Sequence, residues 1–211
     1  MDRKELINQI EELKIVPVVK IDCAKDAVPL CRALCEGGLP VAEITFRTDA
    51  AEEAIRLASA EFPEMLIGAG TIVNVEQAEK AVAAGAKFLV SPGFIKSVTE
   101  WAVNHDVMIF PGTCTPSEIM EAMEYHLPVV KFFPAEQYGG LKTIKSLAAP
   151  FPFIRFMPTG GINADNLNEY LSYDRIIACG GSWMVKDTLI KEGKFDEIRK
   201  LTQEAVECVK Q

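Results

Sequence analysis

The 211-residue sequence is poor in histidine: it has two, His105 and His126, far apart and without ligand-spaced neighbours. That argues against a His-based metal site and leaves each to a helix-end or loop role. Six cysteines, at 23, 31, 35, 114, 179 and 208, include no Cys-x-x-Cys pair. Neither a zinc ribbon nor a disulfide framework is suggested, and most read as small buried hydrophobes. No apolar run reaches membrane-span length, and the opening Met1-Asp2-Arg3-Lys4-Glu5-Leu6 is charged and amphipathic rather than signal-like. The expected location is cytoplasmic. There is no basic patch either, and a formal net charge of -8 argues against nucleic-acid or anionic-membrane partners. No Pro/Gly/Ser-rich linker or low-complexity segment marks a boundary, so residues 1–211 are expected to form one domain.

What is present is an alternation. After an amphipathic segment over residues 2–14, with Leu6, Ile7, Ile10 and Leu13 at helical spacing, short apolar runs alternate with longer amphipathic stretches. The runs are Val16–Val19, Val41–Phe46, Met65–Ile67, Phe88–Val90, Val107–Phe110, the stretch around Lys131, Ile154–Met157 and Arg175–Cys179. Expected helix caps include Asp49, Asn74, a start near Thr115, and Asn163 or Asp165. A last helix is expected over Phe195–Val209. About eight strand-helix units in series predict an α/β fold, a (β/α)8 TIM barrel with an extra N-terminal helix. The rival, an open doubly wound sheet, rarely strings so many units in so short a chain.

One stretch stands apart. Val129-Val130-Lys131-Phe132-Phe133-Pro134-Ala135-Glu136 places a lysine inside an apolar strand, where charge is expensive to bury. Lys131 either pairs with a neighbouring carboxylate or serves as an amine nucleophile, because desolvation disfavours an ammonium and a neutral amine attacks carbonyls. In Val41–Arg47 the period of two puts Glu43, Thr45 and Arg47 on one face, which is poor core material. Glu43 and Arg47 could be a structural ion pair, or Glu43 could simply neutralise Lys131. Together the three offer a nucleophile, a carboxylate to move protons and a guanidinium suited to a substrate carboxylate.

Pro158-Thr159-Gly160-Gly161 and Gly180-Gly181-Ser182 follow the seventh and eighth runs. In barrels these two loops commonly bind phosphate, where glycines admit close backbone approach and a following helix N-terminus adds a favourable dipole. Gly68-Ala69-Gly70-Thr71 lacks the spacing of a dinucleotide fingerprint, and Thr71 is expected to offer a hydroxyl to substrate instead. Pro92 and Pro111, each before a glycine, shape tight rims, and Phe133, on the face of Lys131, could wall a pocket or belong to the core.

With these residues in place, the chain resembles the 2-keto-3-deoxy-6-phosphogluconate (KDPG) and 4-hydroxy-2-oxoglutarate (KHG) aldolases from Val16 to about the last helix. The motifs Glu43-Ile44-Thr45-Phe46-Arg47-Thr48, Gly68-Ala69-Gly70-Thr71, Ser91-Pro92-Gly93, Lys131-Phe132-Phe133-Pro134-Ala135-Glu136, Pro158-Thr159-Gly160-Gly161-Ile162 and Gly180-Gly181-Ser182-Trp183 carry it, in order and spacing. The resemblance implies a metal-independent class I aldolase without a cofactor, acting on a small 2-keto acid or sugar-acid phosphate. It implies Lys131 as Schiff-base residue and Glu43 as proton carrier. Arg47 and Thr71 would hold the pyruvate carboxylate, Pro92 and Phe133 would line the pocket with Thr159 beside them, and Gly160, Gly161, Gly181 and Ser182 would receive the phosphate. It also implies a homotrimer. Lys20, at the end of the first run, departs from the arginine or apolar residue of many relatives, so its role stays open. Two rivals keep the barrel: an aldolase that enolises its substrate with Glu43 and a divalent ion, and a non-catalytic sugar-phosphate sensor with Lys131 in an ion pair.

Overall fold

Every strand of the sheet runs parallel to its neighbours, and the order of pairing turns the chain into a ring. The computed structural model describes residues 2–209. The one-domain expectation spans 1–211, of which Met1, Lys210 and Gln211 lie outside the described residues. The elements run α1 (Arg3–Leu13), β1 (Ile15–Val19), α2 (Ala27–Glu36), β2 (Val41–Thr45), α3 (Ala51–Glu61), β3 (Leu66–Gly70), α4 (Val75–Ala83), β4 (Phe88–Val90) and α5 (Lys96–Asn104). They continue with β5 (Met108–Phe110), α6 (Pro116–Glu124), β6 (Val129–Phe132), α7 (Gly140–Ala148), β7 (Arg155–Pro158), α8 (Leu167–Leu171), β8 (Cys179–Gly181), α9 (Asp187–Lys191) and α10 (Phe195–Val209).

Six strands pair in the order β5-β4-β3-β2-β1-β8, and β6 pairs with β7. Single bridges close the two gaps: Gly112 with Lys131 between β5 and β6, and Phe156 with Ile176 and Thr159 with Gly180 between β7 and β8. The result is a (β/α)8 barrel with one helix or helix pair after each strand. Strands covered by helices outside and by their own side chains inside are buried on both faces, which is why they read as unbroken apolar runs. All five residues of β2 and of β3 are buried.

α1 lies across the end of the barrel where strands begin. Its Leu6, Ile7 and Ile10 are buried, and Glu11 accepts a 2.6 Å bond from Arg155 at the start of β7. The opposite end, where strands finish, stays open to loops.

Two helix starts behave as their sequences predict: Asn74 accepts from the Gln77 amide to cap α4, and Thr115 and Glu118 form a reciprocal capping box on α6. Others differ. Asp49 does not cap α3, because the turn after β2 already brings Ala50 into helical geometry and makes it the cap residue. Neither Asn163 nor Asp165 caps α8; Asn163 Oδ1 accepts from the Asp165 amide and Asn166 Oδ1 from the Asn163 amide, so these side chains fold the loop instead. The eighth strand lies further along than the apolar run Arg175–Cys179, at Cys179–Gly181, because Gly180 and Gly181 pair with Val16 and Pro17 of β1. The short helix α9 has no counterpart in the sequence expectation.

Candidate active site

At the end of the barrel where strands finish, a cavity of about 300 Å³ is lined by Lys131, Glu43, Arg47, Thr71, Pro92, Phe133, Thr159, Gly160, Gly161, Gly181 and Ser182. All eleven residues given a substrate or catalytic role by the resemblance meet there, whereas Pro111, read with Pro92 as a rim residue, does not line it. Val18, Thr45, Ile162 and Gly180 complete the lining. Thr45 was legible by the period of two and Val18 by the same rule from Val16, whereas Ile162 carries no chemical signal of its own. Lys20 is not among them: its ammonium bonds Asp22 at 2.8 Å and 3.0 Å.

The lining falls into two levels. Lys131 and Glu43 are each third in their strands, so they sit deeper than the residues beyond the strand ends, and they are 5% and 1% exposed. Lys131 Nζ lies 3.5 Å from Glu43 Oε1 and 5.3 Å from the centre of the Phe133 ring. The lysine backbone is fixed on the β5 side, its amide donating to Pro111 O at 2.9 Å and its carbonyl accepting from the Thr113 amide at 2.8 Å. Neither oxygen of Glu43 has a hydrogen-bond partner, although both are buried. The ion pair with Lys131 offsets part of the cost of burying this carboxylate, and its oxygens keep the capacity to accept hydrogen bonds from a substrate group or water.

The rim is organised by Thr45. Its hydroxyl donates to Val19 O at 2.8 Å and accepts from Arg47 Nε at 3.0 Å, tying the ends of β1 and β2 together. Among the described residues this is the one hydrogen bond of the five guanidinium donors, which leaves the Nη fork of Arg47 able to hold a carboxylate by two parallel bonds. Thr71, just past β3, has φ +59°, a left-handed backbone that a β-branched residue rarely adopts. Such strain is concentrated at ligand-contacting positions.

The second level is the pair of glycine loops. Gly160 and Gly161 have φ +103° and +79°. A Cβ on Gly180 would fall 2.3 Å from Thr159 Oγ1, so the glycine makes room for a buried hydroxyl that has no partner of its own. The expected contribution of helix dipoles is not realised at close range: α8 starts six residues beyond Gly161 and, like α9, is only five residues long. Anion binding here must come from loop N–H groups and the Ser182 hydroxyl. Among the described residues no three His, Cys, Asp or Glu side chains cluster as metal ligands.

The family model for KDPG and KHG aldolase matches residues 6–201. The 2-dehydro-3-deoxy-phosphogluconate aldolase of Treponema pallidum is 46% identical, with 97% of each chain covered. Among solved structures, the KDPG aldolase of Legionella pneumophila, with pyruvate captured as a covalent carbinolamine, superposes with a TM-score of 0.91 at 36% identity, covering 94% of this chain and 97% of that one. The aldolase of Zymomonas mobilis with 3-phosphoglycerate gives 0.87 at 38% identity, covering 95% and 94%. A barrel that gathers a buried lysine, a glutamate and two glycine loops at one mouth, matched along almost its whole length, belongs to the KDPG and KHG aldolase family.

Proposed function

We propose that this protein is a class I aldolase that cleaves KDPG to pyruvate and glyceraldehyde 3-phosphate, and that it also takes KHG, giving pyruvate and glyoxylate. The observation that carries the proposal is Lys131 Nζ 3.5 Å from the carboxylate of Glu43, an ion pair that leaves both carboxylate oxygens without a hydrogen bond, deep in a cavity rimmed by Arg47 and two glycine loops. The carbinolamine trapped in the Legionella relative supports the same chemistry at Lys131.

The Lys131 amine adds to the C2 carbonyl of the keto acid, and loss of water from the carbinolamine gives an iminium. Glu43, acting through a water, accepts the proton of the C4 hydroxyl. The C3–C4 bond then breaks, its electron pair passing into the iminium, so that an enamine stays on Lys131 and an aldehyde departs. Glu43 returns the proton to C3, and hydrolysis releases pyruvate and the free amine. Arg47 and Thr71 hold the keto-acid carboxylate while Pro92, Phe133 and Thr159 wall the reacting carbons. Gly160, Gly161, Gly181 and Ser182 receive the phosphate.

Borohydride reduction with pyruvate, followed by peptide mapping, is the test. The expected adduct is on Lys131; an adduct on Lys20 or Lys142, or none, rejects the proposal. Activity unchanged by a chelator separates this chemistry from metal-assisted enolisation, and turnover separates it from a sugar-phosphate sensor. The homotrimer is proposed from the family resemblance, and light scattering at the mass of three chains is its check. No helix among the described residues is long and apolar enough to cross a membrane. The cytoplasmic location is proposed from the six free cysteines, which suit a reducing compartment.

A further inference from the structure

Beyond the strand ends, the chain that follows Lys131 stays hydrogen-bonded to the loop that follows β7. Thr159 N donates to Phe132 O at 2.9 Å, Ala135 N to Thr159 O at 2.9 Å and Glu136 N to Gly160 O at 3.1 Å. Glu136 does not line the cavity; it supports the loop from outside. A Cβ on Gly161 would fall 2.6 Å and 2.5 Å from Glu136 Cβ and Cγ, so the glycine rests directly on that side chain. The Tyr170 hydroxyl, from α8, donates to Glu136 Oε1.

A third element closes around this bond. A Cβ on Gly140, at the start of α7, would lie 3.0 Å from Tyr170 Oη and 3.2 Å from Glu136 Oε1. Tyr170 is 1% exposed, and a buried hydroxyl is unfavourable unless it is bonded, so a phenylalanine would serve packing alone. Burial first, and then the bond to Glu136, push the phenol above its ordinary range and keep it a donor. The loop needs an external support, because two consecutive glycines at positive φ have wide conformational freedom and the helix behind them has five residues.

We infer that Tyr170 and Glu136 are positioning residues: their hydrogen bond braces Gly160–Gly161 and so aims the loop N–H groups at the distal phosphate of the substrate. This rests on the proposal that these glycines receive phosphate.

The experiment is steady-state kinetics on KDPG and KHG for Tyr170→Phe, Glu136→Ala, Glu136→Gln and Ser182→Ala, with thermal melting of each. Loss of one hydrogen bond whose acceptor belongs to an exposed residue, and so is worth no more than an ordinary one, should raise the KM for KDPG about five- to tenfold in Tyr170→Phe and Glu136→Ala. The kcat for both substrates and the KM for unphosphorylated KHG should stay within about twofold, since Lys131 and Glu43 are untouched. Glu136→Gln keeps an oxygen to accept the phenol proton and should restore the KDPG KM.

A merely structural role would lower the melting temperature and affect the two substrates alike, or leave both unaffected, and either result overturns the brace. If Ser182→Ala is selective for KDPG while Tyr170→Phe is not, the brace alone fails. If Ser182→Ala costs both substrates equally, the phosphate cradle fails and the brace with it. Should Tyr170→Phe not fold, Glu136→Ala, at an exposed residue, is read by the same criteria.

Discussion

Glu43 occupies the space that Gly70 leaves empty: a Cβ at position 70 would fall 2.1 Å from Glu43 Oε1 and 2.7 Å from its carboxyl carbon. The two strands are paired in parallel, and the glycine at the end of β3 lets a carboxylate from β2 stand inside the barrel within reach of Lys131.

Gly70→Ala should therefore act as an indirect lesion of Glu43. The side chain must swing aside into the cavity that it lines, and the methyl thereby displaces it from the lysine. A loss of about 10²–10⁴ in kcat is expected, the range for a misplaced general acid-base group, with far-UV circular dichroism unchanged. Normal turnover in a folded Gly70→Ala protein would contradict this placement.

Glu43→Gln removes the proton carrier but keeps its volume. Turnover should drop by about two to four decades, while the borohydride adduct with pyruvate still forms, slowly, on Lys131. Stopped-flow trapping beside steady-state assays distinguishes the two effects. Kinetics equal to the unaltered enzyme would show that another group moves the proton.

Thr71→Gly should trade binding for stability. The left-handed backbone at φ +59° costs a β-branched residue about 1–2 kcal/mol, part of which glycine forfeits through its greater freedom in the unfolded chain. The melting temperature should be equal or higher, and the KM for the keto acid should rise about fivefold through the lost hydroxyl. A lower melting temperature with unchanged KM would mean that the hydroxyl serves the fold.

Glu118 links one helix start to pH. Burial favours its neutral form, but its carboxylate accepts from the Cys114 amide at 2.8 Å, the Thr115 hydroxyl at 2.8 Å and the Thr115 amide at 2.9 Å, and the net result is a pKa below the ordinary value of 4.5. Because the folded value is depressed, the stabilisation is fully present above the unfolded pKa and is lost as pH falls through the folded one. Glu118→Ala should cost about 1 kcal/mol at neutral pH, and its melting temperature should converge on that of the parent protein as the pH falls below 4.5 and through the depressed folded value. A gap that persists undiminished in acid would assign the loss to packing.

Particular residues mark how far the sequence reaches. The alternation from Val16 to Cys179 was enough for the barrel, because burial on both faces forces apolar runs and each run must be separated by a helix. Lys131 and the Glu43-Thr45-Arg47 face were legible for the complementary reason: charged groups inside strands are too costly to be there by default. Local patterns were less secure where the chain could satisfy its backbone in other ways, as at Asp49 and Asn163, and glycine at 180 and 181 concealed a strand behind a turn signal.

The sequence by itself determined which chemistry was available and at which ends of which elements it would lie, since parallel strands alternating with helices bring every strand terminus to one face. Only the tertiary structure decided the distances within that face: the vacancy at Gly70 that admits Glu43, the hydroxyl of Thr45 that aims Arg47, and the Tyr170–Glu136 bond beneath Gly161. Thr45 and Arg47 are near neighbours, but the Thr45 hydroxyl is itself held by Val19 O across the sheet; that bond, the Gly70 vacancy and the Tyr170–Glu136 bond join residues distant in sequence and depend on the curvature and register of the closed ring, which no local pattern of residues encodes.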